Sequence, residues 1–545
     1  MAMHVVWQNW HDATETLQQR RLSMKIPSML ALLLAASLML AGARSGIAAE
    51  ASASAPTAST RDGVLQGRKK DGLDVFLGIP FAAPPVGALR WKEPQPVTAW
   101  TGTRKADAYA ASCMQKPGIP VSAGGTAGAL SEDCLYLNVW TPRTGVGGKR
   151  PVMVWIHGGA LVYGSGNVAL YDGSAYARRG AVAVTINYRM GALGFFSHPE
   201  IDGDDASAPA NYGLFDQIAA LRWVRDNIAA FGGDPDNVTI FGESAGAQSV
   251  LALYTSPGAK GLFQRGIAQS PYAIPSHTRA RARQVSMEVA GAVGLGGGNA
   301  TAAQLRAVPA TRFFELGEKG PTLAPSFIVG DAALPRPILD TFRKGKQAQL
   351  PLIVGSNSDE ATVASAFGVD PAKLVEKLRA GKFVLKTLYP GIEDDAQLGR
   401  ETMRDLVFTA YARNIAYLHS RSAPVWRYYF SHVQQGQQGK VPGVGHGGEI
   451  PFVMDTSNDC GCLPAPFTAA DRDFARQVGD YWYAFAHSGD PGVAGAPAWA
   501  RDGMRQAQLL EFGERTVPRK DFMNARLNAF MITTKVANAL LKARN

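Results

Sequence analysis

Short runs of apolar residues recur along the chain and are separated by segments with helical spacing. Six runs, each bounded by glycine or polar residues, predict buried β-strands at 152–156, 182–187, 238–241, 266–268, 352–354 and 425–430. Between the second and third runs, the apolar positions of 214–231 recur with the period of an amphipathic helix. Strands that are apolar throughout and alternate with helices predict an α/β fold, with a mostly parallel central sheet covered by helices on both faces.

Two further segments complete this pattern. Residues 279–343 are largely helical in character with proline and glycine breaks, which predicts a helical insertion beside or over the site. Residues 526–542 predict a closing amphipathic helix. Because no tandem repeat or long linker interrupts the chain after the N-terminal region, we predict one catalytic domain over 62–545.

The N-terminal region has the order of a signal peptide. Basic residues precede an apolar run over 29–41, and small residues follow it. This run is too short to span a bilayer comfortably, and no other stretch reaches the ~20 apolar residues of a membrane helix. We therefore predict a signal peptide over 1–49, a flexible lead-in over 50–61, and a secreted or periplasmic protein without stable membrane insertion. Met24 is an alternative start, and both Sec and twin-arginine export remain open.

Composition and charge narrow the classes of partner. The chain is 46% hydrophobic and carries a net charge of +10, without a long basic run, so no nucleic acid partner is predicted. The four cysteines of an exported chain tend to be oxidised. Cys460 and Cys462 are compatible with a local disulfide, with two free thiols or with half of a metal site. Because no set of histidines and cysteines has the spacing of a zinc site, no metal is predicted.

A candidate nucleophile lies where the third predicted strand ends. Residues 238–247 read V-T-I-F-G-E-S-A-G-A, and apolar residues with helical spacing follow. A serine on a tight turn between a strand and a helix is exposed at the end of the sheet, and the helix N-terminus favours developing negative charge. We therefore predict that Ser244 is a nucleophile, and that a Cβ at Gly242 or Gly246 would crowd its turn.

A serine nucleophile that attacks a carbonyl group turns the carbonyl oxygen into an oxyanion, and the site must supply hydrogen-bond donors for it. His157-Gly158-Gly159-Ala160 follows the strand 152–156, and glycines there leave backbone N–H groups free to point into a site. We predict an oxyanion hole formed by the N–H groups of Gly158, Gly159 and Ala245, with His157 in a structural role.

The general base is one of nine histidines. In α/β-hydrolases the order along the chain is nucleophile, acid, histidine. The histidines after Ser244 are His277, His419, His432, His446 and His487. His446 is the predicted base, because it lies in the glycine-rich loop 443–448 after the last strong strand, where a histidine can reach a neighbouring strand end.

The acid is expected after a strand between Ser244 and His446. The strand at 352–354 leads into Asp359 and Glu360. Either carboxylate can hold the imidazole tautomer and stabilise the imidazolium, so the residues alone do not choose between them.

Three longer motifs resemble the signatures of the type-B carboxylesterase and cholinesterase family. They are F-L-G-I-P-F-A-A-P-P-V-G-A-L-R-W from Phe76, E-D-C-L-Y-L-N-V-W-T-P from Glu132, and F-G-G-D-P-D-N-V-T-I-F-G-E-S-A-G from Phe231. The resemblance runs from about Asp62 almost to the C-terminus. It implies the α/β-hydrolase fold and a serine ester hydrolase that requires no metal or cofactor.

The resemblance also implies roles for further residues. It assigns Glu360 as the triad acid and pairs Cys113 with Cys134 in a disulfide, which would stabilise the fold by about 3 kcal/mol in the chain-entropy model. It suggests Glu243 and Ser270 as buried partners of the site. A proline follows Ser270 where the family usually has glycine, which puts support of the acid by Ser270 in doubt.

Departures from the family pattern narrow the substrate. Cholinesterase-like members carry a tryptophan within the loop closed by the first disulfide, whereas residues 113–134 contain no aromatic residue, so no choline site is predicted. The closer resemblance is to bacterial para-nitrobenzyl esterases. The deep gorge of the family implies small or medium ester substrates, and a monomer or weak homodimer is expected. The alternatives are a fumonisin-type esterase that releases tricarballylate, an amide or carbamate hydrolase, and a non-catalytic adhesion module. Three arginines begin the insertion, at positions Arg279, Arg281 and Arg283. Their side chains are expected either to form a solvated helix face or to contact an acidic substrate.

Overall fold

The structure is a computed structural model, and its described residues are 54–118, 126–145, 147–203, 205, 207–314, 325–367, 369–377, 381–456, 463–503 and 506–532. The strands are β1 Thr57–Ser59, β2 Val64–Gln66, β3 Arg68–Lys70, β4 Leu73–Pro80, β5 Thr103–Lys105, β6 Ser112–Cys113, β7 Leu130–Ser131, β8 Tyr136–Thr141, β9 Arg150–Ile156, β10 Val182–Ile186, β11 Gly233–Glu243, β12 Arg265–Gln269, β13 Leu352–Asn357, β14 Val425–Phe430, β15 Gln508–Phe512 and β16 Thr516–Lys520. The α-helices are α1 Ser174–Arg178, α2 Gly191–Gly194, α3 Pro199–Asp202, α4 Tyr212–Asn227, α5 Ala245–Thr255, α6 Arg279–Ala292, α7 Ala302–Ala307, α8 Thr311–Phe314, α9 Ile338–Arg343, α10 Pro371–Lys377, α11 Gly381–Leu388, α12 Asp395–Met403, α13 Ala410–His419, α14 Ile450–Val453 and α15 Ala469–Ser488.

One large sheet organises the fold. Its strand order is β3-β4-β8-β10-β9-β11-β12-β13-β14-β15-β16. The strands from β10 to β15 pair in parallel, whereas β8, β4 and β3 on one side and β16 on the other are antiparallel. The predicted mostly parallel sheet is therefore confirmed.

Helices cover both faces of this sheet. Successive strand side chains point to opposite faces, so Val152, Val154 and Ile156 pack on one side while Met153 and Trp155 pack on the other. The first side carries α4, α5 and α13, and the second carries α1, α14 and α15. Strands buried on both faces must be apolar throughout, which is the pattern seen in the sequence.

Charged residues lie on both edge strands of the sheet. β3 reads Arg-Lys-Lys, and β16 ends in Pro518-Arg519-Lys520. Charge and proline on an edge strand disfavour pairing with another chain, because a new strand would have to bury or displace them.

The six predicted strands all occur. The predicted helix 214–231 is α4, followed by a 3-10 turn at Ile228–Phe231. The region 279–343 contains α6, α7, α8 and α9, which confirms the helical insertion. Residues 524–532 are helical, and the rest of the predicted closing helix lies outside the described residues.

Other predictions also fall outside the described part of the chain. These are the signal peptide at 1–49, Cys460 and Cys462. The predicted flexible lead-in 50–61 is described from residue 54, and there Thr57–Ser59 form β1, which pairs with β2. Within the described residues, no helix is both long and apolar enough to cross a membrane.

Candidate active site

Four neighbouring parallel strands deliver polar side chains to one edge of the sheet. His157 follows β9, Ser244 follows β11, Ser270 follows β12, and Glu360 lies three residues after β13. The carboxyl ends of parallel strands meet along one edge, where open α/β sheets form their binding crevices. The topology therefore gathers residues that are far apart in the sequence.

The turn at Ser244 has a strained backbone. Ser244 connects β11 to α5 with φ 55° and ψ −119°, a conformation that is rare for residues other than glycine. A Cβ on Gly242 would lie 2.5 Å from the carbonyl oxygen of Ile156, and one on Gly246 would overlap the same oxygen. The predicted crowding at both glycines is therefore confirmed.

Three predicted residues are joined by hydrogen bonds. Ser244 Oγ lies 2.7 Å from His446 Nε2, and His446 Nδ1 lies 2.6 Å from Glu360 Oε2. Ser244 is 7% exposed, His446 is 9% exposed and Glu360 is fully buried. Of the two adjacent carboxylates, it is Glu360 and not Asp359 that meets the imidazole.

Hydrogen bonds hold the loop of the acid against the loop of the histidine. Val444 N donates to Ser358 Oγ, Asp359 N donates to Val444 O, and His446 N donates to Thr362 Oγ1, each at 2.8 Å. These bonds run along both loops, so the position of His446 relative to Glu360 is set by several contacts at once.

The second oxygen of Glu360 has two donors. Ser270 Oγ donates to Glu360 Oε1 at 2.6 Å, and Asn357 N donates to the same oxygen at 2.7 Å. Ser270 has a φ of 54° and Pro271 follows it directly. The doubt raised by this proline is wrong, because the left-handed backbone at Ser270 still turns its hydroxyl toward the carboxylate.

A second carboxylate approaches the imidazole. Glu243 Oε1 lies 3.2 Å from His446 Nε2, and neither oxygen of the buried Glu243 has a hydrogen-bond partner among the described residues. Burial raises the pKa of Glu243 to about 8, with a further contribution from Glu449. Burial by itself would lower the pKa of His446, but Glu243 and Glu360 outweigh it and raise that pKa above its ordinary value. Glu243 and His446 therefore titrate as a pair.

Sequence reasoning missed several residues that border the site. Glu449 accepts hydrogen bonds from Gln269 Nε2 at 2.9 Å and from Asn357 Nδ2. The ring of Phe408, on the π-helical turn Arg404–Thr409, lies 5.0 Å from that of His446. Glu449 follows His446 closely in a glycine-rich loop, which was an available signal, whereas no local pattern marks Phe408.

Two of the three predicted oxyanion donors, Gly158 and Ala245, lie beside the serine, and Gly159 follows Gly158 directly. No hydrogen bond among the described residues is donated by the N–H groups of Gly158, Gly159 or Ala245. A Cβ on Gly158 would lie 3.2 Å from the Cβ of Ser244, and Ala245 is the first residue of α5. Because these N–H groups are unpaired, they can donate hydrogen bonds to the oxyanion of an acyl group bonded to Ser244 Oγ.

His157 is buried below these glycines. Its ring stacks on Tyr188 at 4.3 Å between centroids, and Tyr188 donates a hydrogen bond to its carbonyl oxygen at 2.9 Å. Burial lowers the pKa of His157 to about 4, so it is neutral at ordinary pH. These contacts are those of a structural residue.

The predicted disulfide is confirmed. Cys113 and Cys134 are bonded, with 4.9 Å between their Cα atoms. The bond closes the loop 113–134, which contains no aromatic residue.

The arginines at the start of the insertion have other partners than an acidic substrate. Arg279 and Arg283 lie 3.4 and 3.8 Å from the buried carboxylate of Asp202, and Arg279 also donates to Ala208 O at 2.6 Å. The solvated face predicted for this helix is therefore wrong at Arg279, whose side chain is only 12% exposed.

A family model and curated relatives match most of the chain. Residues 54–389 and 393–531 match the model described as "Carboxylesterase family". The chain is 35% identical over 481 residues to fumonisin B1 esterase of Sphingopyxis macrogoltabida, covering 84% of this chain and 86% of that protein. It is also 35% identical over 460 residues to para-nitrobenzyl esterase of Bacillus subtilis (strain 168), covering 79% of this chain and 90% of that one.

Solved structures agree with these relatives. A PNB esterase superposes with a TM-score of 0.73 at 30% identity, covering 88% of this chain and all of the other. A carboxylesterase of Geobacillus stearothermophilus gives a TM-score of 0.75 at 32% identity, covering 87% of this chain and 99% of the other. The α/β-hydrolase fold expected from the sequence is thereby confirmed.

Proposed function

The chain belongs to the carboxylesterase family and is a carboxylesterase, and we propose that it acts through a triad of Ser244, His446 and Glu360. The observation that carries this proposal is the pair of hydrogen bonds from Ser244 to His446 at 2.7 Å and from His446 to Glu360 at 2.6 Å. This is the arrangement in which a serine is activated by a base whose tautomer a carboxylate holds.

In the first half of the reaction the enzyme is acylated. His446 Nε2 takes the proton of Ser244 Oγ as that oxygen forms a bond to the ester carbonyl carbon. The carbonyl oxygen becomes an oxyanion beside the N–H groups of Gly158, Gly159 and Ala245. The tetrahedral intermediate then collapses, the bond to the alcohol oxygen breaks, and the alcohol leaves with the proton from His446.

In the second half water replaces the alcohol. His446 takes a proton from water, the hydroxyl oxygen attacks the acyl carbon, and the same N–H groups receive the oxyanion. The bond to Ser244 Oγ then breaks and His446 returns the proton to that oxygen, which releases the carboxylic acid and restores the enzyme.

For the substrate we propose short or medium acyl esters. Ser244 and His446 are both less than a tenth exposed, which favours acyl groups of limited length. The 113–134 loop has no aromatic residue to bind a quaternary ammonium. We expect higher kcat/KM on acetate and butyrate than on palmitate esters, and no preference for butyrylcholine over its uncharged analogue. The highest kcat/KM on palmitate or on butyrylcholine would contradict this.

A second candidate is a polycarboxylate ester hydrolase. It is favoured by the similarity to fumonisin B1 esterase over 84% of the chain. Against it stands the pairing of Arg279 and Arg283 with Asp202, which leaves these cations engaged. Measuring kcat/KM for a tricarballylate ester beside butyrate, amide and carbamate substrates distinguishes these possibilities. A strong preference for the tricarballylate ester would favour the second candidate.

We further propose that the chain is exported, as its N-terminal sequence predicts, and that it acts as a monomer or weak homodimer. The disulfide between Cys113 and Cys134 suits an oxidising compartment. N-terminal sequencing of protein from the extracellular or periplasmic fraction is expected to start near residue 50. Recovery of the activity in the cytoplasm with the first residues intact would contradict export, and analytical ultracentrifugation measures the oligomeric state.

A further inference from the structure

A buried glutamine joins the disulfide to the loop that follows the oxyanion glycines. Gln115 lies two residues after Cys113 and is 2% exposed. Its Oε1 accepts a hydrogen bond from Gly164 N at 2.8 Å, and its Nε2 donates to Gly164 O at 2.8 Å and to Cys113 O at 3.0 Å. The carboxamide of Gln115 therefore bonds to both the N–H and the carbonyl group of Gly164, and also to the carbonyl group of Cys113.

Gly164 in turn lies against the residues of the oxyanion hole. A Cβ on Gly164, whose φ is +120°, would lie 2.7 Å from the carbonyl oxygen of Gly158 and would overlap the ring of His157. Gly158 is itself adjacent to Ser244. Gly164 therefore lies close to Gly158, which lies close to Ser244, and neither glycine leaves room for a side chain.

The residue after Gly164 is held to both sides of the disulfide. Ser165 Oγ lies 2.6 Å from Ser112 Oγ and donates to Asn187 Oδ1 at 3.0 Å. Asn187 Nδ2 donates to Cys134 O at 3.2 Å. The disulfide and these bonds form a fixed frame from which Gln115 reaches Gly164.

We propose that Gln115 is a positioning residue for the oxyanion hole, holding the N–H groups of Gly158 and Gly159 at their working distance from Ser244. The proposal rests on the proposed function. Oxyanion donors stabilise the transition state only when they are held within about 0.5 Å of the correct place. Loss of Gln115 therefore weakens transition-state binding more than substrate binding.

The first test is Gln115→Leu, which removes three hydrogen bonds with little change in volume. We expect kcat per titrated active site to fall about 10-fold or more, with KM within about 2-fold of the wild type. The affinity of a trifluoromethyl ketone, whose adduct with Ser244 carries an oxyanion, is expected to fall by the same factor as kcat/KM. The matched control is Gln347→Leu, which removes a buried glutamine bonded to His419 and Ser422. It is expected to lower Tm without changing kcat.

A second variant, Gln115→Glu, keeps the shape of the side chain and adds a pH dependence. A protonated carboxyl group can accept from Gly164 N and donate one of the two hydrogen bonds that the amide donates, whereas the ionised form has no donor. The ratio of variant to wild-type kcat is therefore expected to rise as the pH is lowered. This variant decides the matter if Gln115→Leu does not fold.

Three results would overturn the proposal: unchanged kcat per titrated site in folded Gln115→Leu, a lower Tm of that variant with unchanged affinity for the ketone, or a ratio of Gln115→Glu to wild-type kcat that does not change with pH. Ser244→Ala, measured in parallel, separates this from the proposed function. Activity in Ser244→Ala refutes the triad, whereas full kcat in Gln115→Leu with an inactive Ser244→Ala refutes only the positioning role.

Discussion

The serine side and the acid–histidine side of the site are held by different kinds of interaction. The conformation of Ser244 depends mainly on residues 242–246, where one strand runs directly into one helix and two glycines allow the close approach of Ile156, and one backbone hydrogen bond joins Ser244 N to Gln269 O at 2.9 Å. Glu360 begins a 3-10 turn after β13, whereas His446 lies on a separate loop, and the hydrogen bonds between these two segments join residues 84 to 88 positions apart.

This difference predicts different responses to mutation. In the proposed mechanism only the hydroxyl of Ser244 forms the bond to the acyl group, and no neighbouring side chain can replace it. On the acid–histidine side several hydrogen bonds share the task of orienting one imidazole, so removing one of them leaves the others in place. We therefore expect abrupt loss on the first side and graded loss on the second.

The largest effect is expected for Ser244→Ala. Without a nucleophile the acyl-enzyme cannot form, and kcat/KM on a para-nitrophenyl ester should fall about 10³-fold or more while the protein stays folded. The control is Ser256→Ala, which removes another buried serine hydroxyl just after the same helix, one without a hydrogen-bond partner among the described residues. Turnover retained by Ser244→Ala in a clean preparation would contradict the assignment.

Glu360→Gln should come next. The amide keeps the shape of the carboxylate but no longer stabilises the imidazolium and favours the wrong tautomer, so we expect a loss of about 10²- to 10³-fold in kcat. Asp359→Asn is the matched control, because that neighbouring carboxylate does not meet His446. Equal losses in the two variants would argue against the choice of Glu360.

Ser270→Ala tests the graded response. It removes the 2.6 Å hydrogen bond to Glu360 but leaves the one from Asn357 N. A hydrogen bond to a charged group stabilises by about 1.5–3 kcal/mol, and with the second donor in place we expect a loss of kcat near the lower bound, about 10-fold. Pro271→Gly should leave kcat nearly unchanged, since the contact already forms beside proline. A loss from Ser270→Ala as large as that of Glu360→Gln would show that this side is not graded.

The smallest effect is a shift in pH dependence on Glu243→Gln. His446 must be neutral to act as base, so activity should rise with pH through its apparent pKa. Glu243 raises that pKa because its charge stabilises the imidazolium, so removing the charge should lower the apparent pKa. The variant should keep more of its maximal kcat/KM at acidic pH than the wild type does. A profile that is unchanged or shifted to higher pH would contradict this.

Local patterns predicted much of this protein from its sequence. The apolar runs identified six strands of the sheet, since strands buried on both faces must be apolar throughout. The serine turn and the glycine loop were recognisable because each depends on neighbouring residues. Choosing Glu360 over Asp359 required resemblance to a family, because two adjacent carboxylates after a strand look chemically alike.

Only the tertiary structure decided which distant groups meet. It placed Ser270 on Glu360 despite the proline, paired Arg279 with Asp202, and set Gln115 against Gly164. The partner of a buried polar group depends on packing between segments far apart in the chain, and no periodicity or short motif encodes it. The residue types that do chemistry were therefore visible in the sequence, whereas the contacts that orient them became visible only in the fold.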